Sequence, residues 1–330
     1  MERNKTFDIA RAISMLYIVG FWHLFGYSDM IDRMPYGDYL KNATLATFVF
    51  ISGYLLGLKY NIKNFDSLII FFQRRIIRLI PLFAIALFSY LIVGFITLKT
   101  SLLSLVGLST FIPPQTPTLW FVSMILVFYY LFPILSGKKV LVQLLVTGMV
   151  FYIVFLADRY FINVDKRFFY YWPCFAVGVT LSRFDLTRYL KSSVMIITAM
   201  IFFTGFSLAH FYGFGSFPQW LYRLLVSISG AFLILGLSQI FSSINILARA
   251  GSVVSYLSMA AYLFHRQVID LIEKYIYWPD DGWIRVIYLI FICLPIMLIV
   301  GYLVQKVYDA FVDWLLHHFT GVRNQNTLYR

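Results

Sequence analysis

The sequence predicts an all-α membrane protein, a bundle of about ten transmembrane helices with both termini cytoplasmic. Three observations carry this expectation. Of the 330 residues, 61% are hydrophobic and 13% charged, whereas soluble domains carry about 25% charged residues. The apolar residues fall in long unbroken runs rather than in alternation, which argues against an outer-membrane barrel. Lys and Arg concentrate in every second connection between these runs, as they do when those connections face the cytoplasm. The same composition excludes disorder. Cys174 and Cys293 both sit in apolar runs, which excludes a disulfide scaffold.

Taken in order, the expected spans are 7–27, 43–59, 76–98, 119–136, 140–157, 168–182, 193–211, 219–241, 252–270 and 284–306. The first has no small-residue cleavage site and holds Trp22 and His23 in its apolar core, so it reads as a retained span rather than a signal peptide. The fourth and sixth are short. With the N-terminus inside, the inner connections hold 17 of the 27 Lys and Arg residues. The net charge of +12 therefore follows membrane topology and implies no nucleic-acid partner. It suits anionic lipid or a phosphorylated cytosolic ligand. Residues 1–308 form the expected transmembrane domain, followed by an amphipathic cytoplasmic tail over 309–330 that includes Trp314, His317 and His318. The longest outer connections, 99–118 and 271–283, carry Pro113, Pro114 and Pro117 in one and Pro279, Asp280, Asp281 and Gly282 in the other. No internal repeat is visible, which weighs against a transporter built from two similar halves.

Ionisable groups inside a span cost about 3 kcal/mol each and so point to function. Asp8-Ile-Ala-Arg11 opens the first span and His23 lies near its outer third. Arg74-Arg75-Ile-Ile-Arg78-Leu-Ile-Pro81 opens the third. Arg75 and Arg78 are three apart, so they share a helix face, and forked guanidinium groups suit phosphate. Tyr262-Leu-Phe-His265-Arg266 places a second histidine in the outer half of the ninth span. His210, at the outer end of the seventh, reads as an ordinary hydrogen-bonded side chain. Arginines thus gather toward the cytoplasm and histidines toward the outside. The twelve residues from Arg11 to His23 span about 18 Å of helix, a distance an extended ligand arm covers. His, Cys and carboxylate spacing never forms a metal set.

These pieces, with Phe50-Ile-Ser52-Gly53-Tyr54, Leu119-Trp120-Phe121, Phe128-Tyr129 and Pro133, resemble the integral-membrane acyltransferase 3 family in order and spacing. The resemblance implies a bacterial inner-membrane O-acyltransferase with ten spans. It would move an acyl group, usually acetyl, from cytoplasmic acyl-CoA to a cell-envelope sugar or lipid-linked glycan, with no permanently bound cofactor. It implies that His23 is catalytic, as base or as acyl carrier, and that Arg11, Arg74, Arg75 and Arg78 serve the acyl-CoA. Ser52-Gly53 would pack closely or break the helix near the site. Ser52, Trp120 and His265 are candidates for the substrate or the oxyanion. A polysaccharide-export or other transport protein is the alternative, and a non-catalytic scaffold a third reading.

Two departures from the family pattern stand out. Eleven residues separate Arg11 from His23, where the family usually has ten. Twelve positions leave two side chains about 120° apart on an ideal helix. The two share a face only if a bulge intervenes, or if Arg11 precedes the regular helix. Ile125 and Leu126 also stand where many members carry Glu, which removes an acidic partner for the histidine.

Overall fold

The computed structural model describes residues 4–28, 35–214 and 218–320, and among them there is no strand. Helices occupy all ten expected stretches. The first is α1 (Lys5–Tyr17), prolonged by a π-helical turn (Ile18–His23) and a 3₁₀ turn (Leu24–Tyr27). Then come α2 (Pro35–Lys59), α3 (Phe65–Ile92), the short α4 (Leu98–Leu105), α5 (Trp120–Leu135) and α6 (Val140–Tyr160). The chain continues with α7 (Phe168–Leu181), the short α8 (Leu186–Leu190), α9 (Ser193–Phe211), α10 (Gln219–Phe241), α11 (Asn245–Tyr275), α12 (Gly282–Tyr288) and α13 (Leu294–Thr320).

By length and composition, seven helical stretches are able to cross a membrane: Lys5–Tyr27, α3, α6, α9, α10, α11 and Gly282–Leu315. The other three expected spans differ for separate reasons. The apolar helices α5 and α7 have 16 and 14 residues, short of the ~20 that a ~30 Å hydrocarbon layer asks for. The 25 residues of α2 are long enough, but Asp38, Lys41 and Asn42 dilute its apolar run.

Boundaries moved where local chemistry outweighed hydropathy. A reciprocal capping box between Asn64 and Ser67 starts α3 at Phe65, eleven residues before the expected boundary. Arg74, Arg75 and Arg78 therefore lie in its third and fourth turns rather than at its start. The 31 residues of α11 make a rod of about 46 Å, so the connection expected over 271–283 shrinks to 276–281. Residue 308 falls inside α13, where Tyr308 and Val312 are both buried. Of the expected tail, 321–330 and the side chains of His317 and His318 lie outside the described residues.

The helices pack through small residues, as membrane bundles do in the absence of a hydrophobic drive. α2 lies against α7 and α10, α1 against α11, and α11 against α13. The α2–α7 contact is backbone to backbone. A Cβ on Gly53 would overlap the Phe175 carbonyl oxygen, and one on Gly178 would overlap the Phe50 carbonyl oxygen. Of the two expectations for Ser52-Gly53, close packing holds, and α2 runs through without a break. Aromatic rings fill the space beside this seam, with Phe128, Phe168, Trp172 and Phe175 in mutual contact. α6 and α9 lie at the periphery and expose apolar side chains such as Leu141, Leu144, Met149, Ile197 and Ile201.

Gly53→Ala should therefore lower stability by about 1–3 kcal/mol, the usual cost of overpacking, read as a drop in Tm in detergent. Gly148→Ala, in α6, meets nothing within 4 Å and should leave Tm unchanged or slightly raised.

Candidate active site

The change of helix type in the first span answers the spacing problem. A π turn holds one residue more than an α turn. The π-helical stretch Ile18–His23 thus lets twelve positions do the work of eleven. Eleven positions return within about 20° of the starting face, so Arg11 and His23 project from the same side of the span. The π stretch ends on His23 itself.

His23 meets His265 of α11 face to face. The ring centroids are 4.8 Å apart and the planes differ by 3°. His265 is 1% exposed. Its Nδ1 lies 2.7 Å from the Tyr262 carbonyl oxygen. A carbonyl only accepts, so Nδ1 carries the proton, and Nε2 is the nitrogen left to take one. Nε2 is buried and has no hydrogen-bond partner. Ile125 and Leu126, in the positions where an acid was missing, are buried among apolar side chains. The His265 ring is thus oriented by a backbone carbonyl.

Tyr262 ties this pair to the preceding loop, donating its hydroxyl to the Thr118 carbonyl. Thr118 has φ +62°, an unfavourable left-handed conformation for a β-branched residue, costing about 1–3 kcal/mol. The turn it makes delivers Leu119 and Trp120 to the start of α5. Trp120 stacks on Tyr171, with centroids 6.2 Å apart. The Arg167 guanidinium lies 3.5 Å from the centre of the Trp120 ring, a cation–π contact. Asp165 grips the same guanidinium, accepting from its Nε at 2.7 Å.

Together these groups wall a cavity of about 580 Å³, into which His23, Trp22, Asn42, Trp120, Tyr171 and Tyr262 all face. Lys41, Gln115, Arg167 and Arg223 also line it. It lies at the end of the bundle that the charge bias assigns to the outside, where α2, α7 and α10 begin.

The arginines predicted to serve a ligand are elsewhere. Lys59, at the far end of α2, lies within electrostatic reach of Arg74, Arg75 and Arg78. Lys41 to Lys59 is 18 residues of continuous helix, about 27 Å. Arg74 and Arg78 are exposed and Arg75 half-buried. Arg75 sits 5.3 Å from the Tyr60 ring centre and 5.9 Å from that of Tyr129, and its Nε is buried with no hydrogen-bond partner. Arg11 is half-buried, between these two ends along the first span.

The structure therefore brings His23, Trp120 and His265 together and leaves Arg11, Arg74, Arg75, Arg78 and Ser52 outside the cavity. Ser52 and Gly53 are interior to α2, so their amides belong to the helix ladder, which corrects the expectation that they supply an oxyanion hole. Asp8 is buried and accepts hydrogen bonds from Ser252 at 3.0 Å and Ser255 at 3.1 Å, clasping α1 to α11. His210 Nδ1 lies 2.7 Å from the Tyr39 hydroxyl, as expected of a structural histidine. Among the described residues no group of His, Cys, Asp and Glu forms a metal site. Sequence reasoning missed Lys41, Asn42, Arg167 and Arg223 as cavity residues. They come from α2, from α10 and from the loop that ends at Arg167 before α7, and no spacing links them.

Deleting Gly20 should close the π turn into an α turn and keep Arg11 and His23 in register, with Tm within about 5 °C of the parent. Deleting Ala12 should rotate all that follows by about 100° and lower Tm by well over that amount. Thermal unfolding in detergent compares the two.

A model of the Acyltransferase domain family (Acyl_transf_3) matches residues 4–305. No curated protein and no solved structure matches the chain. The match runs from the N-terminal cap of α1 into α13 and takes in both histidines, the strained turn before α5 and the arginines of α3, and on it the chain belongs to the acyltransferase 3 family of membrane acyltransferases.

Proposed function

We propose that the protein is an O-acyltransferase that moves an acyl group, acetyl in the first instance, from cytoplasmic acyl-CoA to a hydroxyl of a cell-envelope sugar or lipid-linked glycan, in the inner membrane of a bacterium. One observation carries this reading. His23, stacked on the buried His265, faces a cavity lined by aromatic rings and amides, while a cluster of cations stands at the opposite end of the same helices. Aromatic faces with Asn and Gln side chains suit a sugar ring, and clustered guanidinium groups suit the phosphates of CoA.

In this mechanism Arg74, Arg75 and Arg78 hold the CoA phosphates, and the unpartnered Nε of Arg75 is a donor that a phosphate oxygen satisfies. The pantetheine arm follows the first span past Arg11 and carries the thioester to His23. The histidine takes the proton of the sugar hydroxyl as that oxygen attacks the thioester carbon. The tetrahedral oxyanion collapses, the C–S bond breaks, and the proton returns to the leaving thiolate. Alternatively, the His23 imidazole attacks the thioester carbon and the C–S bond breaks to release the CoA thiolate; the sugar hydroxyl then attacks the acyl-imidazole, the C–N bond breaks, and the hydroxyl proton passes to the thiolate. Tyr262 and the Arg167–Trp120 stack hold the acceptor side of the site.

His23→Ala should lower transfer from labelled acetyl-CoA to an envelope glycan fraction by about 10²–10⁴-fold, with Tm and acetyl-CoA binding preserved. Wild-type turnover in that variant would remove His23 from the mechanism. Arg75→Ala/Arg78→Ala should weaken saturable acetyl-CoA binding more than about tenfold, since each charge-assisted bond is worth about 1.5–3 kcal/mol. If folded wild-type protein in nanodiscs binds no acetyl-CoA, the CoA-dependent reading fails.

A further inference from the structure

Among the described residues four cations line the cavity: Lys41, Lys166, Arg167 and Arg223. Two of them are matched one to one, Arg167 by Asp165 at 2.6 Å and Lys166 by Asp158. Lys41 and Arg223 are not. They share a single carboxylate, Asp38, which accepts from Lys41 on Oδ1 and from Arg223 on Oδ2 at 3.0 Å. Both cations face the cavity, and Asp38 is not among the residues that line it. Among the described residues, one anion between two cations leaves one positive charge in excess on that wall. The charge is also close to the chemistry, since the Lys41 ammonium lies 4.3 Å from the centre of the Trp22 ring, the neighbour of His23 in the chain.

Excess positive charge on the wall of a cleft with low-dielectric sides concentrates anions there. A neutral sugar needs only the aromatic faces and amides that the cavity already offers. A guanidinium and an ammonium side by side are the usual means of seating a carboxylate or a phosphate.

We infer that the acyl acceptor carries an anionic group, a carboxylate or a phosphate borne on the sugar, seated between Lys41 and Arg223 while its hydroxyl faces His23. This rests on the reading of the cavity as the acceptor pocket. It makes Lys41 and Arg223 specificity determinants that touch the substrate, with Asp38 as the internal anion that holds them in place and competes with the ligand.

The test is equilibrium dialysis of labelled glucose, glucuronate, glucose 1-phosphate and inorganic phosphate against the full chain in neutral-lipid nanodiscs. At least one charged sugar should bind about tenfold tighter than glucose, and which one does so distinguishes carboxylate from phosphate. Lys41→Gln/Arg223→Gln should abolish that preference while keeping glucose binding. Asp38→Asn, which frees both cations, should increase it several-fold. Equal binding of glucose and both charged sugars, or a preference that survives the double substitution, would overturn the inference and leave the cavity as a sugar site. Inorganic phosphate binding as tightly as glucose 1-phosphate would also overturn it, by showing a bare anion site. No saturable binding of any sugar would overturn the acceptor-pocket reading itself.

Discussion

The contact between the His23 and His265 rings is the point at which the local irregularities of the fold converge. Two imidazoles lying parallel at 4.8 Å require the first span and α11 to meet in one register. The first span reaches it with a π turn that ends on His23. α11 reaches it with a ring fixed by its own backbone, through the Tyr262 carbonyl. Tyr262 then carries the constraint outward to Thr118, whose left-handed backbone starts α5 at Trp120. Strain of this kind persists only where the surroundings over-determine it, and here a buried tyrosine hydroxyl bonds to the strained residue.

This arrangement is held by close helix contacts and by polar clasps. Gly53 and Gly178 let α2 and α7 touch through their backbones, and Asp8 joins α1 to α11 through two serine hydroxyls. In an apolar solvent the second kind of contact is as structural as the first, because a polar group inside the bundle has no water to turn to. The clasp accounts for Asp8 without giving it a catalytic task. α2 also sets the scale of the site. One of its ends lines the cavity and the other joins the arginine cluster, so two charged regions are kept about 27 Å apart by a single continuous helix.

The two regions differ in how their cations are held. In the arginine cluster, Arg75 rests against tyrosine rings with its Nε unpaired. In the cavity each cation has a carboxylate partner, one of which is shared. On the proposed function, a cluster of the first kind offers a phosphate an unpaired donor, whereas the second selects by the balance between internal and external anions. The aromatic lining of the cavity adds a face for a ring.

Much of this was legible in the sequence because a membrane imposes a strong pattern. Apolar runs located a helix in each of the ten expected stretches, including the short α5 and α7, though not the short α4 and α8, and the cost of burying charge singled out His23, His265, Arg75 and Arg78. The eleven-residue gap after Arg11 allowed a shared face only with a bulge or with Arg11 ahead of the regular helix, and the first span contains a π stretch. Tertiary structure alone decided which of these residues meet. The stack of His23 on His265 joins positions 242 residues apart, and no periodicity encodes such a distance. Lys41, Asn42, Arg167 and Arg223 each looked like a polar residue at a helix end, the usual place for one. They became a cavity wall only when α2, α7 and α10 brought their N-terminal ends together at one end of the bundle. Hydropathy reports how deep a residue sits, a property of its own segment. Which helix it faces depends on the packing of small residues between segments, and that is a property of the fold.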